Sequence, residues 1–264
     1  MGEIDIHTHA FPDGLAARAI SRLESLAQWK AVGDGTVKGL VRAMDKADVD
    51  VSVMCAIATK PTQAEDILQW CAKIASDRIV PFPSIHPTTP ELGRWLGRIA
   101  DEGFVGIKLH PLYQEFCADA PQMDELYDAA MRLGLVVAIH CGHDIAYPPE
   151  DDRASPRRMR NVIDRHAGLK LVCTHMGGWR QWEDAQRCLL GTSVYLETSF
   201  SLADLGPQRA ADMIRRHGPG RVMMGSDWPW ADQRDQIDII RNMGLETSEA
   251  HAILCTNAAK LLGI

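Results

Sequence analysis

The 264-residue sequence lacks the features that mark several classes of protein. No apolar run approaches the roughly 20 residues that a membrane-spanning helix needs. The N-terminus has no basic n-region and no apolar h-region, so no export signal is visible. The basic residues are scattered through a chain of net charge −7, which argues against a dedicated nucleic-acid surface. We therefore expect a cytoplasmic protein whose partners include neither a membrane nor a nucleic acid.

The sequence also lacks a C-x-x-C pair, although it contains seven cysteines. An odd number of cysteines without metal-type spacing favours small buried hydrophobic side chains in a reducing compartment. No Ser/Gly/Pro-rich linker, charge run or low-complexity segment divides the chain. With 46% hydrophobic and 24% charged residues, the composition is that of an ordinary globular protein. We expect one domain over residues 1–264.

The chain does contain a regular alternation of strands and helices. Apolar runs rich in Val, Ile, Leu and Met predict eight strands buried on both faces, at about residues 3–8, 50–58, 79–85, 104–109, 134–140, 169–174, 193–198 and 221–226. Helical stretches such as VKGLVRAMDKA and MDELYDAAMRLG separate them. Eight repeats in about 250 residues are typical of an α/β fold, the (β/α)8 TIM barrel. A doubly wound open sheet is the alternative, but it would not bring the ends of strands one, five, six and eight together.

The predicted strands end in side chains that bind metals. His7 and His9 close the first strand and, being two residues apart, point to the same face. His140, His175 and Asp227 close the fifth, sixth and eighth runs. In a TIM barrel the carboxyl ends of the strands meet at the face that holds the active site. Imidazole is the commonest protein ligand for zinc-like metals, so these residues predict a divalent-metal site.

The segments around these residues resemble the amidohydrolase superfamily. They read H-T-H at the N-terminus, I-H-C-G, T-H-M-G-G and G-S-D-W-P, with N-A-A-K-L-L in the closing helix. The resemblance is closest to the branch of metal-dependent hydrolases and aminocarboxymuconate semialdehyde decarboxylases. It implies four metal ligands: His7, His9, His140 and Asp227. It further implies that Asp227 accepts a proton, and that His175 orients the catalytic water or, in two-metal members, binds the second metal.

The function that the resemblance implies is hydrolysis of an ester, lactone or amide of a small molecule. A metal-bound water would attack the carbonyl, with Asp227 as general base and then general acid. The histidine-rich ligand set favours one Zn2+ ion, while a second ion and other metals such as manganese stay open. The alternative function is a metal-dependent decarboxylase (lyase) acting on an unsaturated or aromatic carboxylic acid. That reading calls for an arginine anchor, which cannot be assigned from sequence. A non-catalytic barrel is a third hypothesis.

Lys108 and His110 share one face of the fourth strand, in F-V-G-I-K-L-H-P. We interpret them as contacts to a substrate carboxylate or carbonyl, because a lysine within an apolar strand needs a partner. A carboxylated Lys108 that bridges two metals and a structural ion pair are the other interpretations. The expected partner is therefore a small-molecule substrate that carries a carboxylate. The oligomeric state stays open, although exposed barrel helices often pair into a homo-oligomer.

Residues outside these strand ends frame the predicted site. Segment 10–35 contains a predicted amphipathic helix and is expected to cover the mouth of the barrel. Glu197 ends the seventh run and is expected to face the pocket, with no role assigned. Trp228 and Trp230 are interpreted either as an aromatic wall or as packing for the last loop. Three histidines fall in helical stretches and are expected to be solvated: His166, His217 and His251.

Overall fold

A computed structural model describes residues 2–264 of the chain. Within them, eight strands follow in chain order: β1 (Glu3–Thr8), β2 (Val49–Cys55), β3 (Ile79–Phe82), β4 (Gly106–Leu109), β5 (Val136–Ile139), β6 (Lys170–Cys173), β7 (Tyr195–Glu197) and β8 (Val222–Met223). Every boundary lies within three residues of the prediction. The largest differences are at the carboxyl ends of β2, β3 and β8, which each stop three residues early.

Helices alternate with the strands along the described chain. They are α1 (Asp13–Ala27), α2 (Val37–Ala47), α3 (Ala64–Ile74), α4 (Leu92–Asp101), α5 (Asp124–Arg132), α6 (Pro156–Arg165), α7 (Thr174–Gly177), α8 (Trp182–Cys188), α9 (Leu202–Leu205), α10 (Pro207–His217), α11 (Gln233–Asn242), α12 (Thr247–His251) and α13 (Asn257–Leu262). A π-helical stretch, Ala252–Thr256, joins α12 to α13. Among the described residues, no helix combines the length and the apolar character that crossing a membrane requires.

The sequence of α2 illustrates why these segments are helical. The hydroxyl of Thr36 accepts a hydrogen bond from the backbone N–H of Gly39 at 2.9 Å, which satisfies one of the donors left open at a helix start. Leu40, Met44 and Ala47 recur at helical spacing and are all buried. The cap and the apolar stripe therefore define this helix locally, before any tertiary contact is considered.

The strands form two sheets, in the order β1-β2-β3 and β4-β5-β6-β7-β8. The pairs β1–β2, β4–β5, β5–β6 and β6–β7 are parallel. The chain divides into two compact units: the first contains residues 2–54, Ser76–Val80 and Glu197–Ile264, and the second contains Cys55–Ala75 and Pro81–Leu196. The expectation of one domain over residues 1–264 stays a prediction.

In the first unit, β8 lies beside β1. The backbone N–H of Ile6 donates to Met224 O at 2.9 Å, and the N–H of Asp227 donates to His7 O at 2.8 Å. The other edge of β1 pairs with β2. The carboxyl ends of β1 and β8 are therefore held side by side by backbone hydrogen bonds, before any side chain contributes.

In the second unit, β4 to β7 align in register. Lys108 lies opposite Ala138, and Ala138 lies opposite Val172 in the next strand. The backbone N–H of Lys108 also donates to Pro83 O at 3.0 Å, which ties β4 to the segment that follows β3. All four residues of β4 and of β5 are buried. These strands therefore have the two-sided burial that their continuous apolar runs predict.

Candidate metal centre and active site

Three metal-binding atoms converge in the first unit. The Nε2 atoms of His7 and His9 lie 3.1 Å apart, and Asp227 Oδ1 lies 3.5 Å from the first and 3.2 Å from the second. The His7 side chain is buried, whereas those of His9 and Asp227 are 12% and 14% exposed. Asp227 follows β8 in the left-handed conformation, with φ 66°, which a non-glycine residue adopts only at a cost. We call these three residues the HHD cluster.

The spacing in the HHD cluster fits a bound metal ion. Two ligands held at about 2.1 Å, with angles of roughly 90–110° between them, lie about 3.0–3.4 Å apart. The three measured separations of 3.1, 3.2 and 3.5 Å are close to that range. Two imidazoles and a carboxylate form a mixed nitrogen and oxygen set, which suits several divalent metals. These residues therefore fit a divalent cation.

Glu197 determines which nitrogen of His7 faces the cluster. Glu197 Oε1 lies 3.0 Å from His7 Nδ1, and the glutamate is only 1% exposed. An ionised carboxylate can only accept, so Nδ1 carries the proton and Nε2 keeps the lone pair that a metal needs. Ser199 holds the carboxylate in place, because its hydroxyl donates to Oε1 at 2.8 Å and its backbone N–H donates to Oε2 at 2.6 Å. The structure thus supplies the role that the sequence left open for Glu197.

A second buried carboxylate, Asp5, ties β1 to the segment after β8. Its Oδ1 accepts from the backbone N–H groups of His7 and Ser226, at 3.1 and 3.0 Å. Its Oδ2 accepts from the Ser226 hydroxyl at 2.5 Å and from Gln233 Nε2 at 2.7 Å. Burial raises the pKa of Asp5 from 3.8 to about 7, against the lowering effect of these hydrogen bonds. Asp5 therefore fixes the backbone beside two residues of the HHD cluster.

A second group of imidazoles lies in the second unit. His140 Nδ1 is 3.1 Å from His175 Nε2, and the His140 ring stacks on His110 with centroids 4.1 Å apart. Burial holds the pKa of His140 well below 6.5, and the electrostatic interaction with the neighbouring imidazoles of His110 and His175 lowers it further. His140 is therefore neutral at physiological pH, which is the form that binds metals. Of the predicted site residues in this unit, the structure brings His110, His140 and His175 together.

The surroundings of His110 indicate a proton donor. The backbone N–H of Tyr113 donates to His110 Nδ1 at 3.4 Å, so the ring proton resides on Nε2, which lies 3.4 Å from Asp144 Oδ2. The backbone N–H of His110 donates to Gln114 Oε1 at 2.8 Å. Lys108, two residues earlier, is fully buried. A donating Nε2 suits contact with a substrate oxygen, and that role for His110 and Lys108 stays a prediction.

The backbone at His175 is strained. His175 and Met176 both adopt left-handed conformations, with φ 58° and 55°. The indole N–H of Trp182 donates to His175 O at 3.2 Å, which helps to hold this turn. Strain of this kind in non-glycine residues clusters at functional sites, because the surrounding structure must maintain it. This backbone agrees with the catalytic role predicted for His175, which stays a prediction.

Five of the seven cysteines are buried, as the sequence indicates, whereas Cys117 and Cys188 are partly exposed. None of the seven forms a disulfide bond, and Cys55, Cys141 and Cys173 are among the buried ones. The thiol of Cys141 donates to Gly177 O at 2.9 Å. Burial is the main reason that the pKa of Cys141 lies well above its usual range, so its thiolate is not available as a nucleophile. Cys141 therefore contributes packing rather than chemistry.

The expectation of solvated side chains is wrong for two helical histidines. His166 and His217 are each 5% exposed. His166 lies 2.9 Å from a carboxylate oxygen of Asp128 and 3.0 Å from one of Asp124, so two acidic groups replace water around its ring. Sequence periodicity does not show such long-range partners. His251 is exposed, as expected.

Comparison with known proteins gives a family and a fold. The amidohydrolase family model matches residues 4–264. No curated protein sequence matches the chain. Among the solved structures that share its fold is 5-carboxyvanillate decarboxylase from Sphingomonas paucimobilis, with a TM-score of 0.74 and 15% identity over 100% of this chain and 99% of that one. An uncharacterised TIM-barrel protein from Bordetella bronchiseptica has a TM-score of 0.77 and 16% identity, with 100% of this chain and 99% of that one covered. A dihydroxybenzoic acid decarboxylase from Polaromonas, with manganese and the inhibitor 2-nitroresorcinol, has a TM-score of 0.73 and 16% identity, with 99% of this chain and 97% of that one covered. The (β/α)8 TIM-barrel prediction is confirmed.

These neighbours contradict the predicted hydrolase function. Two of them are decarboxylases, which agrees with the alternative that the sequence left open. The physical reason for the error is that imidazole and carboxylate ligands specify a metal site but not the bond that breaks there. A divalent metal agrees both with the HHD cluster and with the manganese of the Polaromonas structure, whereas zinc in particular stays a prediction.

Proposed function

The chain belongs to the amidohydrolase family, and on this premise we propose that it is a metal-dependent decarboxylase of an aromatic carboxylic acid. The observation that carries the proposal is the HHD cluster, in which three ligand atoms lie 3.1–3.5 Å apart and one imidazole is oriented by a buried glutamate. The fold shared over the full chain with two decarboxylases of aromatic acids supports the reaction class.

The HHD cluster would hold the metal through His7 Nε2, His9 Nε2 and Asp227 Oδ1. The sequence prediction adds His140 as a fourth ligand. When bound, the metal would supply positive charge that fixes the oxygen atoms of the substrate next to its carboxylate. Glu197 and Ser199 would keep His7 in the tautomer that offers Nε2. Manganese and zinc are the two ions to test first, because mixed nitrogen and oxygen ligands accommodate both.

We assign proton delivery to Asp227. Its side chain is 14% exposed, so a substrate can reach it while Oδ1 stays beside the two imidazoles. Transfer of a proton to the ring carbon that bears the carboxylate interrupts the aromatic system. Cleavage of the carbon–carbon bond then returns its electron pair to the ring and releases carbon dioxide, so that one proton is consumed for each product ring. The roles predicted from sequence for Lys108 and His110, as substrate contacts, and for His175, which orients the catalytic water, stay predictions.

The test combines metal content with product analysis. The purified protein is analysed by elemental mass spectrometry and then assayed, with manganese or zinc, for carbon dioxide release from dihydroxybenzoic acids and 5-carboxyvanillate. We expect bound metal and release of one carbon dioxide per acid consumed. Asp227→Asn and His9→Ala should lose both metal and turnover. Asp238→Asn and His251→Ala replace exposed residues of the same types and should keep both.

Two results would contradict the proposal. The first is a metal-loaded protein that releases no carbon dioxide from any aromatic acid of the panel. The second is turnover that survives in Asp227→Asn at the rate of the Asp238→Asn control, because proton delivery would then come from elsewhere.

A further inference from the structure

Two aromatic side chains in the first unit pack against each other and are connected to the HHD cluster through neighbouring residues. Trp29, after the end of α1, meets Phe200 edge to face, with ring centroids 5.0 Å apart and planes at 68°. Its indole N–H donates to Trp230 O at 3.2 Å. Trp29 is nevertheless 43% exposed, which is unusual for so large an apolar ring.

Phe200 and Trp230, the two partners of Trp29, are both connected to residues of the HHD cluster. Phe200 follows Ser199, whose hydroxyl lies 3.1 Å from His7 Nδ1. The backbone N–H of Trp230 donates to Asp227 O at 2.9 Å. Trp29 is therefore held by Phe200 and Trp230, which connect to opposite sides of the cluster and lie about 170 and 200 positions away from Trp29 in sequence.

The loop that carries Trp29 is held against the segment that follows Asp227. The backbone N–H of Val32 donates to Pro229 O at 2.7 Å. Gly33 lies so close to the buried indole of Trp228 that a Cβ there would collide with it. Trp228 therefore packs against this loop, whereas the two interpretations of Trp228 and Trp230 from sequence stay open. Phe200 sits in a left-handed conformation, φ 53°, whose cost the surrounding structure must offset.

We propose that Trp29 and Phe200 form the surface against which the aromatic ring of the substrate packs, an inference that rests on the proposed function. If the oxygen atoms of an aromatic acid bind at the HHD cluster, its ring lies next to the cluster. Trp29 and Phe200, which connect to the cluster through Trp230 and Ser199, would then be within reach of that ring. The half-exposed Trp29 offers an apolar ring for that contact without leaving its hydrogen bond. Edge-to-face and offset contacts of this kind favour aromatic over aliphatic acids. Trp29 would thus act on specificity rather than on bond cleavage.

The experiment compares two probes by calorimetric titration of the metal-loaded protein: 2,6-dihydroxybenzoate and the unsaturated aliphatic acid crotonate. Trp29→Ala should weaken binding of the aromatic probe roughly tenfold and change that of crotonate less than about twofold. Trp29→Phe should keep most of the affinity, because it retains a ring. The control is Trp70→Ala, which removes a half-buried tryptophan of α3 and should change neither affinity. Metal content, measured on each sample, should be unaltered throughout.

Several outcomes would overturn this inference. The first is an equal loss of affinity for the two probes, and the second is an effect of Trp29→Ala no larger than that of Trp70→Ala. The third is no binding of the aromatic probe to the wild-type protein. The fourth is a smaller oligomer in Trp29→Ala than in the wild type, which would assign the exposed ring to a contact with a second copy of the chain. Carbon dioxide release from the same samples separates the two proposals. Selective binding without turnover contradicts only the decarboxylase function, and turnover without selectivity contradicts only the role of Trp29.

Discussion

Replacing Glu197 with glutamine should weaken metal binding, because it moves the ring proton of His7 from Nδ1 to Nε2. Glu197 Oε2 accepts the backbone N–H of Ser199 at 2.6 Å, so the amide oxygen of the glutamine must take that position. Its NH2 group then faces His7 Nδ1 in place of Oε1, which lies 3.0 Å away in the wild type. Because NH2 donates, Nδ1 must become the acceptor, and the ring proton moves to Nε2, the atom that the metal needs.

The size of the effect follows from the role of such supporting residues. Loss of a partner that orients a metal-binding histidine typically lowers metal affinity about 10–100-fold, which corresponds to roughly 1.4–2.7 kcal/mol. We expect Glu197→Gln to fall in this range. Ser199→Ala should have a smaller effect, because it removes a hydroxyl that supports the carboxylate but leaves the carboxylate itself.

The assay is the metal dissociation constant, measured by competition with a fluorescent chelator at constant pH. Glu125→Gln changes an exposed glutamate of α5 and serves as the control. Circular dichroism confirms that each variant is folded. A dissociation constant for Glu197→Gln within twofold of the control would refute the tautomer argument. A larger loss in Ser199→Ala than in Glu197→Gln would refute it as well, since the hydroxyl rather than the charge would then orient His7.

Three further predictions concern the buried residues Asp5, Gly225 and Tyr127. In metal-free protein, the raised pKa of Asp5 favours its protonated form in the folded state, so stability from this group is present below pH 3.8 and is lost as the pH rises to about 7. Between pH 4 and pH 8 the unfolding free energy of the wild type should therefore fall by about 4 kcal/mol relative to Asp5→Asn, measured by urea titration; a difference independent of pH would contradict this. Gly225→Ala should displace Glu197 Oε2, lower the unfolding free energy by about 1–3 kcal/mol and reduce the metal content. In the control Gly220→Ala, the added Cβ meets no neighbouring atom and the metal content should stay unchanged. Tyr127→Phe should lower the unfolding free energy by about 1 kcal/mol, because its buried hydroxyl donates to Ala118 O at 2.8 Å; an unchanged stability would mean that this bond contributes nothing net.

Much of the fold could be read from the sequence because its signals are local. Continuous apolar runs mark strands buried on both faces, and the observed strands differ from the predicted ones by at most three residues at any boundary. The identity of His7, His9 and Asp227 as candidate ligands also followed from their positions at strand ends. The reaction did not, because the same ligands serve hydrolysis and decarboxylation. The error for His166 has a similar origin, since its two aspartate partners lie about 40 residues away in sequence.

What the sequence determined by itself was the alternation of elements and the face on which each strand-end side chain lies, since both depend on a period of a few residues. The tertiary structure alone decided which atoms meet. It set the 3.2 Å separation of His9 and Asp227, the hydrogen bond that turns His7 Nε2 toward them, and the contact of Trp29 with Phe200. These pairings join residues from about 170 to 220 positions apart. Backbone hydrogen bonding between strands and the left-handed turns after them, rather than any local pattern, create such contacts.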